Sequence, residues 1–212
     1  VDFSNDYARD FVTEEKVNAL YIQNTYTWDK GVIVAGVRYE DASTDSQAFD
    51  QDGNQVFAGS NHSFFAPSIN VKYFLDDRLQ LRGAIWKGLS RPGFKKTAPK
   101  LDYDNDEGDI SGSAGNPDLK PYEAINYDLS LEFYGDDMTF ASVGLFRKNI
   151  ENAIYPKIYK TATFLGVTFN DDVETWENAQ DSTINGLELN LQYGWENGMY
   201  FAGNVTLTDG ES

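Results

Sequence analysis

The feature that most constrains this chain is a strict alternation of apolar and polar residues. In residues 125–133 every odd position is apolar and every even position is polar, and residues 186–195 repeat that order. Successive side chains of a β-strand point to opposite faces, so the alternation predicts strands with one dry face. With weaker versions of the same pattern elsewhere, we predict an all-β chain of about eight long strands.

The connections between these strands alternate in length. Four are tight polar turns, centred on Asp29-Lys30, Asp76-Asp77, Asp136-Asp137 and Glu196-Asn197. Their Asp, Asn and Gly residues favour hairpins, which we expect on one edge of an antiparallel up-and-down sheet with no helix longer than about three turns. Residues 41–61, 91–121 and 149–182 are predicted to be long loops at the other end. Short turns at one end and long loops at the other are typical of outer-membrane barrels.

Strand length and aromatic placement also favour a membrane. The predicted strands run about ten to thirteen residues, longer than most soluble strands and sufficient to cross a bilayer when tilted. Aromatic residues gather beside the tight turns, where an interfacial girdle would place them. They are Trp28, Tyr73, Phe74, Phe133, Tyr134, Tyr193, Trp195 and Tyr200. The alternative is ordinary cross-strand aromatic pairing in a soluble β-sandwich.

Composition disfavours several classes of function. The 212 residues carry 17 Lys and Arg against 34 Asp and Glu, a net charge of −17, which repels nucleic acids. Cys is absent and His62 is the single histidine, so thiol chemistry and a two-histidine metal site are excluded within the chain. No apolar stretch approaches the roughly 18 to 20 residues of a spanning helix, which leaves a closed β-barrel as the possible membrane structure. Residues 1–6 lack signal-peptide character, so we expect a mature chain or a fragment.

Several motifs resemble a known family. Residues 115–123, Gly-Asn-Pro-Asp-Leu-Lys-Pro-Tyr-Glu, followed by Asn-Tyr-Asp-Leu-Ser-Leu-Glu at 126–132, resemble the late barrel region of TonB-dependent outer-membrane receptors. The family pattern there has Pro directly before Glu, so Tyr122 is a departure of one residue. Residues 90–94, 143–150 and 185–189 are similar to further segments of that barrel. The resemblance covers nearly the whole chain in order.

The resemblance implies a wide plugged barrel in the bacterial outer membrane that imports a scarce large solute with energy from TonB. Such transporters have 22 strands, whereas this sequence predicts eight and contains no plug. We therefore expect residues 1–212 to be an internal fragment of the barrel domain. The implied partners are outer-membrane lipid, the TonB complex through the missing plug, and an extracellular solute, with no nucleic acid and no cofactor. A siderophore, a cobalamin-like cofactor and an oligosaccharide all remain open as the solute.

Two other classes of function are considered. Eight strands can close on themselves, so a self-contained small β-barrel or β-sandwich that acts as a binding or adhesion module is the alternative. An enzyme is disfavoured because the sequence has no Gly-rich phosphate loop, no paired-His metal motif and no nucleophile elbow.

The long connections contain the candidate ligand-binding residues. Aromatic rings on loops offer stacking surface at low entropic cost, and we select Trp176 and Tyr159 first, followed by Tyr155. Phe164 and Phe169 lie in the same loop. The alternative is that this loop packs on itself. Arg91 is the fourth candidate, since it begins a basic run with Lys95, Lys96 and Lys100 that suits an anionic ferric chelate or lipopolysaccharide phosphates; a plain surface run is the simpler interpretation.

Charged residues elsewhere are assigned structural roles. The acidic run Asp102, Asp104, Asp106, Glu107 and Asp109 has a spacing used for Ca²⁺. An EF-hand loop would have glycine at the position of Glu107 and glutamate at the position of Ser113. Because both are missing, we predict a solvated acidic loop and no metal. Asp50, Asp52 and Asn54 around Gly53 predict a turn. Arg38, Arg82, Glu132 and Glu188 are polar residues of the inner face, which either line a lumen or pair across strands; we expect pairing.

Overall fold

The computed structural model describes residues 10–50 and 53–211 as an almost entirely β chain. Its elements are β1 Phe11–Trp28, β2 Gly31–Phe49, β3 Gln55–Phe74, β4 Leu79–Ser90, α1 Phe94–Thr97, β5 Leu101–Asp106, β6 Asp109–Ala114, β7 Tyr122–Tyr134, β8 Phe140–Glu151, β9 Ile154–Tyr159, β10 Ala162–Phe164, β11 Val167–Phe169, β12 Val173–Asn178, β13 Ser182–Gly194 and β14 Tyr200–Glu211. No helix in this described part of the chain is both long and apolar enough to cross a membrane.

The main sheet confirms the predicted antiparallel meander of eight long strands. Its order is β1-β2-β3-β4-β7-β8-β13-β14, and every neighbouring pair is antiparallel. The four predicted tight turns join β1 to β2, β3 to β4, β7 to β8 and β13 to β14, all at one end. Asp137 (φ 51°), Met138 (φ 61°) and Gly198 (φ 84°) adopt the left-handed conformation that such turns require.

The prediction of a long loop over residues 41–61 is wrong. Strands β2 and β3 stay paired as far as Phe49 and Gln55, and the connection is only residues 50–54. Hydrogen bonds between polar side chains link the two strands in this extension; for example, the Ser63 hydroxyl donates to Asp41 Oδ1 at 2.9 Å. Because polar residues stand on both faces of the extension, such as Asp45 on one and Ser46 on the other, it lacks the alternation that identifies a strand. The predicted turn holds at Asp50, whose Oδ1 accepts from the Asn54 amide at 2.8 Å; Asp52 lies outside the described residues.

The two remaining long connections are folded rather than irregular. Residues 91–121 contain α1, β5 and β6, and residues 152–181 contain β9 to β12. They join in a four-stranded sheet of order β5-β6-β12-β9, in which β6 and β12 pair in parallel through Val173 and Gly112. We call this assembly, with the β10–β11 hairpin, the loop sheet. Its hydrophobic core consists of Leu101, Ala114, Val167, Phe169 and Val173.

One face of the main sheet is apolar across all eight strands. One row of directly paired residues runs Tyr26, Ile33, Val71, Gly83, Leu129, Leu145, Leu187 and Leu207. The next row runs Trp28, Gly31, Tyr73, Leu81, Leu131, Val143, Leu189 and Val205. These side chains are largely uncovered, with Leu145 57% and Leu207 60% exposed. A continuous exposed apolar face of this size fits contact with lipid.

The limits of this apolar face show how the strands cross the membrane. On β1 the apolar face ends at Leu20, whereas on β14 it ends at Leu207, which shares its row of paired residues with Tyr26 of β1. The limit of the face on β14 therefore lies three such rows nearer the tight turns than the limit on β1. Three rows correspond to about 20 Å along the strands and seven strand spacings to about 34 Å across them. A flat membrane boundary therefore requires a strand tilt of about 30°, close to the roughly 35–45° of outer-membrane barrels.

Candidate functional site

Pairing of β9 with β12 places two of the candidate aromatics around one carboxylate. The Tyr155 hydroxyl donates to Glu177 Oε2 at 3.1 Å, and the Tyr159 hydroxyl donates to Glu177 Oε1. The hydrogen bond from Tyr159 holds the pKa of Glu177 below its usual value, with smaller help from Tyr155 and from the charge of Lys157. The same bond raises the pKa of the Tyr159 phenol. Glu177 is therefore a carboxylate and Tyr159 a neutral phenol at neutral pH.

The third candidate aromatic, Trp176, is held by the first connection. Lys96 Nζ lies 3.6 Å from the centre of the indole ring, a cation–π contact. The Asn116 side chain donates to the Trp176 carbonyl at 2.8 Å. Trp176 is half-buried, so one face of its ring is already in use.

Two asparagines tie the connections together, and we call Asn116 and Asn178 the clasp. Asn178 Oδ1 accepts from the Lys120 amide at 2.9 Å, and its Nδ2 donates to the carbonyls of Lys120 (3.0 Å) and Asn152 (2.9 Å). The residue directly before Asn116 is Gly115. A larger residue would not fit there, because its Cβ would collide with the carbonyl oxygen of Ala98. The Gly-Asn-Pro motif thus has a structural role in joining the loops.

Arg91 lies in a separate cluster of charges. Its guanidinium donates to Glu40 Oε2 at 2.6 Å and lies 3.6 Å from Glu15, while Arg38 donates to Glu40 Oε1 at 2.6 Å. Arg91 keeps 28% of its side chain exposed. The structure therefore brings Tyr155 and Tyr159 together at Glu177. It places Trp176 on the opposite face of β12, against Lys96, and Arg91 in a separate cluster.

Arg91 also lines a cavity of about 300 Å³, which we call the inner-face pocket. Its other charged or titratable lining residues are Glu15, His62, Asp118 and Lys120. The pocket includes Ala42 and Thr44 of β2, which lie on the face opposite to the apolar rows.

A second charge cluster lies beside the inner-face pocket. His62 Nε2 is 3.1 Å from Glu123 Oε1, and Lys87 Nζ is 2.6 Å from Glu123 Oε2. The sequence pattern did not mark His62, Lys120 or Asn178 as candidate binding residues. The sole available signal was the motif at residues 115–123, which contains Lys120 and Glu123.

Part of the aromatic loop packs on itself. Phe169 is completely buried in the core of the loop sheet, with Tyr103 (6.1 Å) and Phe164 (6.2 Å) against its ring. The tyrosine ring of Tyr159 lies 6.4 Å from that of Phe164. Phe169 is therefore a core residue, whereas the tyrosines combine packing with hydrogen bonding.

The remaining charged residues are mostly structural. The acidic run predicted as a loop is instead the β5–β6 hairpin, which turns at Glu107 (φ 51°) and Gly108 (φ 103°). Within residues 10–50 and 53–211 no three His, Cys, Asp or Glu side chains are grouped to hold a metal ion. The predicted pairing of inner-face charges is confirmed for Arg82 with Glu132, 2.9 Å apart. Arg38 pairs with Glu40 of its own strand.

Comparison with protein families gives a match over residues 2–212. The matching family model is that of the TonB dependent receptor-like β-barrel.

Two curated relatives illustrate the similarity in sequence. The probable TonB-dependent siderophore receptor PirA of Acinetobacter baumannii is 26% identical over 215 residues, which cover 87% of this chain and 25% of the relative. The ferrienterobactin receptor of Escherichia coli K12 is 24% identical over 204 residues, covering 92% of this chain and 24% of the relative. The chain thus spans about a quarter of the length of these relatives.

Solved structures show the same fold. The siderophore receptor PirA of Pseudomonas aeruginosa superposes with a TM-score of 0.61 at 16% identity, over 94% of this chain and 43% of that one. The hemophore receptor HasR of Serratia marcescens, solved with its hemophore HasA and heme, gives a TM-score of 0.69 at 17% identity, over 93% and 34% of the two chains.

Proposed function

Because the chain belongs to the TonB-dependent receptor-like β-barrel family, we propose that it forms part of a receptor that binds a scarce large solute and imports it. Members of this family are outer-membrane barrels, and this chain is an outer-membrane protein. They are transport receptors rather than enzymes. The alternative of a self-contained adhesion or binding module is not favoured, since the similarity extends over nearly the whole chain.

The observation that carries this proposal is the inner-face pocket beside the loop sheet. In a chain of net charge −17, this pocket brings the cationic side chains of Arg91 and Lys120 to the loop end of the sheet, beside Glu15, Asp118 and the imidazole of His62. Cationic groups in a cleft attract and orient an anionic ligand. Relatives are named as siderophore and ferrienterobactin receptors, so an anionic ferric chelate is our first choice of solute. A cobalamin-like cofactor and an oligosaccharide are the other choices.

We assign roles to the four candidate residues on this basis. Arg91 would contact the anionic part of the solute, since its guanidinium is partly exposed in the pocket and can exchange its partner Glu40 for another anion. Tyr159 and Tyr155 on one face of the loop sheet, and Trp176 on the other, would supply aromatic contacts to the solute.

We also propose that residues 1–212 are part of the β-barrel domain of a larger receptor. The eight strands would form one segment of a barrel that has 22 strands in plugged transporters of this class, with neighbouring strands added beside β1 and β14. The plug, and through it the TonB complex, would act on the solute from the inner side of this barrel.

The test is a titration of the purified full-length receptor against a panel of ferric chelates, cobalamin and oligosaccharides. A saturating ligand is expected among the ferric chelates, and Arg91→Gln should weaken its binding about tenfold or more. Lys160→Gln, which removes an exposed pair with Asp172, is the matched control and should bind normally. If no member of the panel saturates a correctly folded receptor, or if Arg91→Gln binds with unchanged affinity, the proposal is wrong.

A further inference from the structure

A second cavity lies within the loop sheet itself, and we call it the loop pocket. It has a volume of about 300 Å³ and is lined by residues 115–118 of the first connection and by parts of β9, β10 and β12 of the second. This volume is about ten times that of one water molecule in the liquid. It lies at the lower end of the range for small-ligand sites, which suits a single ring.

The lining of the loop pocket combines aromatic walls with hydrogen-bonding groups. Tyr159 and Phe164 contribute two rings tilted by 58°. Glu177 contributes a carboxylate fixed by two tyrosine hydroxyls, and Asp118 a second carboxyl group. An apolar ring face beside fixed acceptors is suited to a ligand that has C–H groups on one side and hydroxyl donors around its edge.

A buried hydroxyl group in the lining lacks a partner. Thr175 is 2% exposed, and its Oγ1 has no hydrogen-bond partner among the residues that the structure describes. Leaving such a group unpaired is unfavourable, so a ligand hydroxyl that reached Thr175 would gain from completing its hydrogen bond. This observation is independent of the two acidic residues and points to a polar ligand.

Charge defines the class of ligand further. The residues that line the loop pocket include no Lys, Arg or His within the described chain, in contrast to the inner-face pocket, so an anionic chelate is disfavoured here. An organic cation is less favoured at Glu177, because both oxygens of that carboxylate already accept hydrogen bonds from tyrosine hydroxyls. With anionic and cationic ligands disfavoured, a neutral ligand rich in hydroxyl groups fits the loop pocket best.

We propose that the loop pocket binds one sugar ring, through stacking on Tyr159 or Phe164 and hydrogen bonds to Glu177 and Thr175. Bound there, the sugar would contact both connections and hold them together. A sugar carried on an imported solute and a terminal sugar of a membrane glycolipid share this chemistry. The inference is independent of the anionic site at Arg91.

The experiment uses the full-length receptor in detergent and saturation-transfer NMR with the methyl glycosides of glucose, galactose and N-acetylglucosamine. We expect saturable binding with a dissociation constant on the order of 1 mM, as for a small ligand of about a dozen atoms. The core oligosaccharide released from lipopolysaccharide forms a second arm. Tighter binding of this oligosaccharide than of the glycosides identifies a glycolipid sugar, and the reverse identifies a sugar on a solute.

Two shape-conserving variants test the named contacts. Thr175→Val and Glu177→Gln should each weaken glycoside binding about threefold to tenfold, whereas Lys160→Gln should not. Thr175→Val should leave thermal stability unchanged or higher, which separates loss of binding from loss of folding. Equal binding by all variants, no saturation by any sugar, or displacement of the sugar by tetramethylammonium would overturn the proposal. Titration of the ferric solute on the same samples reports separately on the proposed transport function.

Discussion

Substitution of Asn178 tests whether the two connections form one structural unit. Asn178→Ala removes three hydrogen bonds, to the amide and carbonyl of Lys120 and to the carbonyl of Asn152. Each is partly accessible to solvent and contributes about 0.5–1 kcal/mol net. The loop sheet should therefore lose about 2 kcal/mol of local stability, a roughly thirtyfold increase in the population of its open form.

The opening can be measured by hydrogen–deuterium exchange of β6 and β12, whose parallel pairing joins the connections. Exchange of these amides should accelerate about thirtyfold while the amides of β7 and β8 keep their protection, because the main sheet does not depend on the clasp. Asn197→Ala is the matched control, since the hydrogen bonds of the Asn197 side chain within the described residues are made to Met199 in the turn before β14. Unchanged exchange in β6 and β12, or equal acceleration throughout the main sheet, would refute the reasoning.

Three further predictions concern single positions. Leu189→Arg should lower barrel stability by about 2–4 kcal/mol in liposome refolding, because it places a cation in the lipid-facing row, whereas Glu188→Gln on the other face should cost little; equal effects would argue against a lipid face. Gly186→Ala should destabilise the receptor by about 1–2 kcal/mol in thermal unfolding, because a Cβ there meets the ring of Phe146, and Phe146→Ala should remove that penalty. The pKa of Glu177 is lowered in the folded loop sheet, so its stabilising contribution is present above pH 4.5, the ordinary carboxyl value, and is lost as the pH falls through the folded-state pKa. Acid should therefore destabilise the loop sheet, as read by hydrogen–deuterium exchange, and Glu177→Gln should remove this pH dependence.

The main sheet could be predicted from the sequence because a lipid-facing side and tight turns each require particular residues at neighbouring positions. Leu129 and Leu189 alternate with polar residues because one face must be apolar, and Asp136-Asp137 forms a tight turn through short-range chemistry. The extensions of β2 and β3 were missed because both of their faces carry polar residues, such as Asp41 and Asp45 on one face of β2 and Thr44 and Ser46 on the other. In that setting periodicity carries no information.

The sequence predicted several residues of the candidate site but not their arrangement in space. Tyr155, Tyr159 and Trp176 were selected as loop aromatics. The approach of the tyrosines to Glu177 depends on the pairing of β9 with β12, at separations of 18 and 22 residues, and the contact of Trp176 with Lys96 joins two separate connections. Such pairing leaves no local pattern. Arg91 was selected for its charge, and the sequence did not indicate that Glu40 would be its partner.

The most direct measurement of the central claim is a structure of the full-length receptor with its saturating solute bound. We expect an anionic solute against the inner-face pocket, with Arg91 released from Glu40 to contact it and with His62 or Lys120 nearby. A solute bound elsewhere in the receptor, with the Arg91–Glu40 pair intact and the inner-face pocket empty, would contradict the account.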